Sequence, residues 1–509
     1  MINLRSVYLQ SEEKMQRVAF ALFGLLALFL IIQSFFSPAV ALASLGALVV
    51  LIVTVLFPTI MLAFLALYLP FEPFVLKFIP DSIYVFGRFF SEGLIYLIAF
   101  VVFWRLFTGK IRLQQTTLDA PFVLFVITLV ASALIHFVPV LIALLGLRQI
   151  LRFMIVFFLV VYLQPSKLFI KKLTTFLFIV LLIEAGIGIT QAMIGDPLDQ
   201  LLISSEARTL GDLTLTGGVE QFWDPGSRVF ATLGRYDRLG NFLYIFLLIA
   251  SGFLFTLQAR IKKLEPLLWW VFLLGIPTLV LTYSRSSWFG FLLGFVFIGL
   301  IIKRDKKVFV GLVASAVIIL GYLAVSGLTV GLIAEGPGQT LSERFFESFS
   351  YTRWRGEYEG VGRIFWYVHT PLDVVAASPV FGWGPGQFGG GAVAALHNTR
   401  VYDELALPYG IFGTEGFIDT SWFALWGEAG TLGLFFFLWM YIALYRRTLE
   451  TYHSARDPYV QGLAIGFAAV LLAITLNALT STIFEIRTVA FYVWLYGGFV
   501  WVLGEKKKN

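Results

Sequence analysis

The chain has 509 residues, of which 59% are hydrophobic and 13% charged, with a formal net charge of +6 and no cysteine. Soluble domains carry far more charge, so the composition predicts a membrane protein with many spans. The lack of cysteine excludes disulfides, thiolate metal sites and cysteine catalysis. The basic residues lie in short connectors between apolar runs, so nucleic acid is not a predicted partner.

Apolar runs of about 17–25 residues, long enough to cross a bilayer, recur along the chain. They predict an all-α polytopic membrane protein with about 12–14 transmembrane helices, and no cleavable signal peptide is expected before the first of them. The candidate runs lie near 18–36, 38–57, 59–79, 86–107, 120–140, 146–163, 170–194, 236–257, 267–283, 287–302, 308–326, 420–444, 460–482 and 486–503.

Lys and Arg are concentrated in every second connector, which predicts that these connectors and both termini are cytoplasmic. The long polar stretch then lies outside. The predicted organisation is an N-terminal transmembrane bundle (1–326) with a smaller external segment near 195–235, a large external loop (327–419), and C-terminal transmembrane helices (420–509).

The basic residues predicted on the outer side are nearly all arginine, whose planar fork of donors grips phosphate bidentately. Arg148 and Arg152 are one helical turn apart and repel each other unless an anion or acidic side chains lie between them. Arg235 and Arg238 begin another run from the outer side. Two interpretations of these arginines stay open: they bind an anionic ligand, or they form structural ion pairs.

A first motif stands at an outer junction of two apolar runs, where Tyr283 and Ser284 precede Arg285. A charged residue at such a depth is a functional hypothesis by default. The alternative is that Arg285 caps the carbonyl groups of a helix end.

The external loop contains a second motif, in which Gly362 precedes Arg363, and a glycine-rich run at 382–386. Glycines allow tight turns and close approach of the backbone to a ligand, although a structural turn explains them equally. Trp366 and Trp383 in this loop either stack on sugars or form the loop's own core.

A third motif closes the loop, where Asp419 precedes an apolar run that carries Glu428. Its plain interpretation is a helix N-cap. Among the four histidines, His397 has a polar context, followed by Asn398. No metal-binding or nucleotide-binding pattern is present, so neither a metal nor another cofactor is predicted.

These motifs, in this order, resemble the O-antigen ligase/O-antigen polymerase family of bacterial envelope glycan enzymes, which are membrane glycosyltransferases of GT-C-like fold. The resemblance covers roughly residues 230–450. It depends on the segments 282–290, 362–366, 382–388 and 428–433. The family's histidine, nine residues before Glu428, is replaced by Asp419. This departure favours a polymerase-like member, or a ligase for another acceptor, over a lipid A-core ligase.

The resemblance implies an inverting, metal-independent transfer of glycan from an undecaprenyl-diphosphate-linked donor to an acceptor glycan or glycolipid. It implies a location in the bacterial inner (cytoplasmic) membrane, with the active site on the outer face. Arg285 and Arg363 would clamp the diphosphate, assisted by the outer arginines. Asp419 or His397 would take the proton from the attacking hydroxyl. Tyr283 joins the two loop tryptophans as an expected glycan contact. Membrane lipids and a chain-length regulator are further partners to test.

A lipid-linked oligosaccharide flippase or another transporter is the alternative from a different class. A dozen or more spans with buried arginines also suit a transporter. Against it, the inner halves of the predicted spans are nearly free of charge, whereas a flippase requires polar groups along its whole pathway.

Overall fold

The structure, a computed structural model, describes residues 24, 27, 30, 31, 33, 34 and 38–505, except 204–207, 211–212, 216–227, 257–263, 330–342, 344–345, 347–349 and 411–414. Within these residues the fold is helical apart from one short antiparallel hairpin, which confirms the all-α polytopic class. Parts of the external segment near 195–235 and of the loop 327–419 therefore lie outside the described residues.

The first half of the chain contains nine described helices and the hairpin. In chain order they are α1 (Pro38–Leu56), α2 (Pro58–Tyr68), α3 (Glu72–Lys77), α4 (Asp81–Phe107), α5 (Asp119–Ile135), α6 (Val140–Leu151), α7 (Met154–Leu163), α8 (Lys167–Ile194), α9 (Asp196–Leu202), β1 (Arg208–Leu210) and β2 (Leu213–Leu215).

The second half contains the most deeply buried helices and the external loop. After a 3₁₀ turn (Ala231–Leu233) come α10 (Tyr236–Leu254), α11 (Glu265–Leu281), α12 (Arg285–Val296) with a π-helical extension (Phe297–Ile302), α13 (Lys306–Thr329), α14 (Tyr351–Glu359), α15 (Arg363–His369) with a π-helical extension (Thr370–Val375), α16 (Gly391–Ala395), α17 (Arg400–Glu404), α18 (Ser421–Ser454), α19 (Pro458–Asn477) and α20 (Arg487–Gly504).

Seven of the described helices are long and apolar enough to cross a bilayer, and α6 with α7, bent by 55°, would make eight. The expected number of about 12–14 transmembrane helices is therefore not confirmed by length and composition. Several predicted runs form shorter helices instead. For example, the run near 59–79 is divided between α2 and α3, because a turn at 69–71 interrupts it.

Helix α10 forms the centre of the bundle, and 83% of its spanning segment is buried. It packs against α19, which is 78% buried, through glycines that bring the two backbones together. A Cβ atom on Gly252 would lie 2.2 Å from the carbonyl oxygen of Gly462 and 2.6 Å from the backbone nitrogen of Gly466. Small residues at a helix contact are the usual means of close packing in membranes.

The long helix α18 is kinked at Gly430, whose φ of 67° and ψ of −175° leave the helical region. A kink separates carbonyl groups from the amides one turn later. Here the carbonyls of Gly427 and Glu428 lose their normal donors, the N–H groups of Thr431 and Leu432. Such groups must find other partners in a buried position.

The segment 379–384, which includes the start of the glycine-rich run, supplies those partners and thereby docks the loop on the bundle. Gly382 approaches so closely that a Cβ on it would lie 2.3 Å from the nitrogen of Gly430. The four exchanged bonds are Trp383 N–H to Gly427 O at 2.9 Å, Gly384 N–H to Glu428 O at 2.9 Å, Thr431 N–H to Pro379 O at 2.9 Å, and Leu432 N–H to Val380 O at 3.1 Å.

We expect Gly252→Ala to destabilise the protein, because the added methyl group would contact backbone atoms of α19 that cannot rotate away. Overpacking of this kind costs about 1–3 kcal/mol. The thermal unfolding temperature of the detergent-purified protein measures it. Gly186→Ala on α8 is the matched control, because no atom lies within 4 Å of its Cβ position. Equal unfolding temperatures for both variants would contradict the packing at Gly252.

Candidate functional site

The structure brings together two residues that the sequence analysis assigned to the site, Arg363 and Asp419. Arg363 is the first residue of α15, and Asp419 lies two residues before α18. The Nη2 atom of Arg363 lies 3.2 Å from Oδ2 of Asp419, and the side chains are 39% and 58% exposed. This ion pair is therefore fixed by two helix starts and open to solvent.

Arg363 stays charged in this position. Partial burial opposes the charge, but the carboxylates of Asp419 and Glu357 outweigh it and raise the pKa of Arg363 above its ordinary value. Glu357 also accepts a hydrogen bond from the Arg363 backbone N–H at 3.3 Å. One of the guanidinium nitrogens, Nε, is buried without a hydrogen-bond partner, so the pair does not use all the donors of this side chain.

The start of α10 forms the neighbouring wall of the site. Arg235 donates from Nε to Asp237 at 2.9 Å and interacts electrostatically with Asp419. Tyr236 interacts with Arg363, and its ring lies 4.1 Å below the guanidinium of Arg228. Arg235 therefore belongs to the same cluster as the Arg363–Asp419 pair.

Arg238, one turn along α10, forms no ion pair with any residue that the structure describes. Its charged neighbours are Arg235, Asp237, Arg487 and Glu72. The side chain is only half-buried. A cation in this environment is a good contact for an anionic ligand.

Arg285 begins α12, at the same end of the bundle as Arg235 and Arg238. The Oγ of Ser287, two residues further on, donates to Oδ1 of Asn241 on α10 at 3.1 Å and lies 2.9 Å from Oγ of Ser284. Tyr283, with a φ of 51°, forms the sharp turn before α12. The Arg285 side chain is half-buried, and the bond between Ser287 and Asn241 brings the start of α12 against α10. Its expected role in donor binding, like that of Tyr283 in glycan binding, stays a prediction.

Arg148 and Arg152 converge on an acidic side chain that the sequence analysis did not single out. Glu92 on α4 receives Arg148 at 2.6 Å and Arg152 at 2.7 Å, while Arg487 lies 3.2 Å from it. Arg487 also binds Glu72, at 3.1 Å. The acids that would relieve the repulsion between Arg148 and Arg152 are thus present, which favours their structural interpretation. The sequence contained a signal for this network, because a glutamate inside an apolar run needs a partner.

The loop tryptophans occupy positions unsuited to glycan stacking. Trp366 is 2% exposed and Trp383 7%, because both pack in the loop's own core with Phe388 and Tyr402. The indole N–H of Trp383 donates to the carbonyl of Val374 at 2.9 Å. Their expected contact with glycans is therefore corrected. The alternative, a small core inside the loop, describes them.

His397 is exposed just after α16. It is not a member of the ion pair, which joins Arg363 and Asp419. Its neighbour Asn398 donates to the carbonyl of Gly386 at 2.8 Å and so ties this turn to the glycine-rich run. Among the described residues, no group of three or more His, Asp or Glu side chains is placed to hold a metal ion.

We expect Glu92→Ala to lower stability strongly, because it leaves three arginines without their shared carboxylate. Removing one member of a buried charge network costs about 3–5 kcal/mol. Thermal unfolding in detergent tests this. Glu359→Ala, which removes the exposed partner of Arg355, is the control and should change the unfolding temperature little. The network would be unimportant for the fold if both variants unfolded like the wild type.

Residues 270–438 match the family model described as O-antigen ligase. This segment covers about a third of the chain and contains Arg285, Arg363, Asp419 and Glu428. No curated protein matches the chain significantly. The resemblance seen in the motifs is confirmed over this segment.

Proposed function

Because residues 270–438 carry the O-antigen ligase match, we propose that the protein is a membrane glycosyltransferase acting on its outer face. It transfers or polymerises glycan from an undecaprenyl-diphosphate-linked donor to an acceptor glycan or glycolipid. The observation that carries the proposal is the Arg363–Asp419 pair, a fixed cation beside an exposed carboxylate at the outer end of the bundle.

The donor diphosphate binds among the arginines at the outer ends of α10, α12 and α15. Arg363 pairs with Asp419 through Nη2 while its side chain is 39% exposed, and Arg238 forms no ion pair among the described residues. Arg285 and Arg235 complete the cluster. Cations placed where charge develops on a leaving group stabilise the transition state without reorganisation. Arg148 and Arg152 bind Glu92 and contribute to the buried network of the bundle that carries this cluster.

Asp419 acts as the general base that takes the proton from the attacking hydroxyl. Its Oδ2 pairs with Arg363, and more than half of the side chain is exposed to an incoming acceptor. A single displacement inverts the anomeric centre, since the hydroxyl attacks opposite the diphosphate. Arg363 has two roles: it orients Asp419, the base, and it neutralises the charge on the leaving diphosphate. No step requires a metal ion.

The first test is transfer by purified protein in liposomes that contain one lipid-linked repeat unit. Arg363→Ala and Asp419→Asn should each lower the rate about a hundredfold or more, the loss typical of a removed catalytic donor or base. Arg285→Ala should have a similar effect. The length distribution of lipid-linked glycan, measured by mass spectrometry, gives the rate.

Arg355→Ala is the control for these arginine variants. Arg355 is an exposed arginine on α14, paired with Glu359 at 2.7 Å, and its loss should leave the rate unchanged. The enzymatic proposal fails if wild-type protein forms no product while lipid-linked glycan crosses the bilayer, because that result identifies a flippase.

A further prediction concerns the nature of the base. We expect Asp419→His to retain part of the activity and to gain a fall in rate below pH ~6.5, where imidazole becomes protonated. The pH profile of the transfer rate, compared with that of the wild type, measures this. Unchanged profiles would assign the base to another residue, with His397 the next to be replaced.

A further inference from the structure

The turn 478–481, which follows α19, binds the start of α18. The N–H of Ser421 is shared between the carbonyl groups of Ala478 at 2.9 Å and Ser481 at 3.0 Å. The Oγ of Ser421 also donates to the carbonyl of Ser481, at 2.9 Å. Because Asp419 lies two residues before Ser421, this turn fixes the backbone that carries its carboxylate.

The same turn binds α15 through Tyr367. The hydroxyl of Tyr367 donates to the carbonyl of Leu479 at 2.5 Å, and its ring packs against Phe423 of α18 with the ring centroids 5.2 Å apart. Burial raises the pKa of Tyr367, so the hydroxyl keeps the proton that it donates. Tyr367 therefore connects α15 both to α18 and to the turn that fixes the start of α18.

Tyr367 and Arg363 lie on one face of α15. They are four residues apart, a spacing that places two side chains one above the other on a helix. The two side chains interact electrostatically, and both also interact with Asp419. The contact of Tyr367 with the turn 478–481 therefore lies one helical turn from the guanidinium that pairs with Asp419.

The ion pair between Arg363 and Asp419 is too weak to hold this geometry by itself. The two side chains are 39% and 58% exposed, and an ion pair at such accessible positions favours one arrangement about fivefold at most. Trp366 packs in the loop's own core, against the rings of Phe388 and Tyr402. The face of α15 that carries Arg363 is held by Tyr367.

We propose that Tyr367 is a positioning residue, which holds α15 to the turn 478–481 and thereby keeps the guanidinium of Arg363 opposite the carboxylate of Asp419. The attachment of α15 does not depend on the proposed function, whereas its effect on transfer rests on that function. Tyr367 is assigned no contact with substrate. The turn lies outside residues 270–438, so residues beyond the family match take part in building the site.

The first test is Tyr367→Phe in the full-length protein in detergent. This variant keeps the ring that packs against Phe423 and removes only the donor to Leu479. Amide hydrogen–deuterium exchange of residues 363–369 should rise about threefold or more, the effect of one lost hydrogen bond. Tyr351→Phe is the matched control, because this ring on α14 is 78% exposed, and it should exchange like the wild type. Unchanged exchange in Tyr367→Phe would overturn the attachment.

The transfer assay tests the effect on the reaction. Tyr367→Phe should lower kcat about three- to tenfold and change KM for the lipid-linked donor by less than about twofold. The reason is that the diphosphate still meets the same arginines, while Arg363 no longer keeps one position. An unchanged kcat would overturn the positioning role. A raised KM with an unchanged kcat would make Tyr367 a binding contact and would overturn it as well.

A double-mutant cycle shows whether Tyr367 acts through Arg363. In the Arg363→Ala background, Tyr367→Phe should cause no further fall in kcat, because no guanidinium is left to position. An equal fall in both backgrounds would overturn the proposal, since the effect would then bypass Arg363. If exchange of residues 363–369 responds as expected but the wild type transfers no glycan, the attachment of α15 stands and the proposed function fails.

Discussion

The exchange of backbone hydrogen bonds at Gly430 is the interaction on which the site depends. A kink in a buried helix exposes carbonyl and amide groups that neither lipid nor apolar side chains can satisfy. The segment 379–384 meets all four of these groups, and the backbones approach so closely because Gly382 and Gly430 have no Cβ. The bonds that satisfy the backbone groups at the kink therefore also hold the loop to the bundle. This attachment positions α15 and the start of α18.

The charges around the site fall into two groups with different functions. Glu72 and Glu92 pair with Arg148, Arg152 and Arg487 in a buried network that joins α3, α4, α6 and α20. Near the Arg363–Asp419 pair, Arg238 forms no ion pair with any residue that the structure describes, and the Arg363 side chain is 39% exposed. The accessible cations are therefore those beside the ion pair, whereas Arg152 and Glu92 of the network are buried.

The sequence was sufficient for the class of fold and for the residues that form the ion pair. Composition predicted a polytopic helical protein, and the motifs singled out Arg363 within the loop and Asp419 at its end. It was insufficient where a residue's environment depends on distant segments. The sequence next to Trp366 and Trp383 does not indicate whether their side chains face solvent or a core. Glu92 is distant in sequence from the arginines that it binds. The number of spans, about 12–14, stays a prediction, because seven or eight described helices qualify by length and composition and hydropathy does not register bends such as that between α6 and α7.

The two membrane helices that flank the loop differ in what surrounds them. In the chain, the loop follows α13, of which only 6% of the spanning segment is buried against protein, and precedes α18, of which 50% is buried. Lipid is therefore the main solvent of α13, and its tilt follows the thickness of the bilayer. The entry to α18, with Asp419, is fixed by protein contacts and is insulated from such changes. Bilayer composition thus affects the end of the loop that follows α13. The other end, with Asp419, keeps its position relative to the bundle.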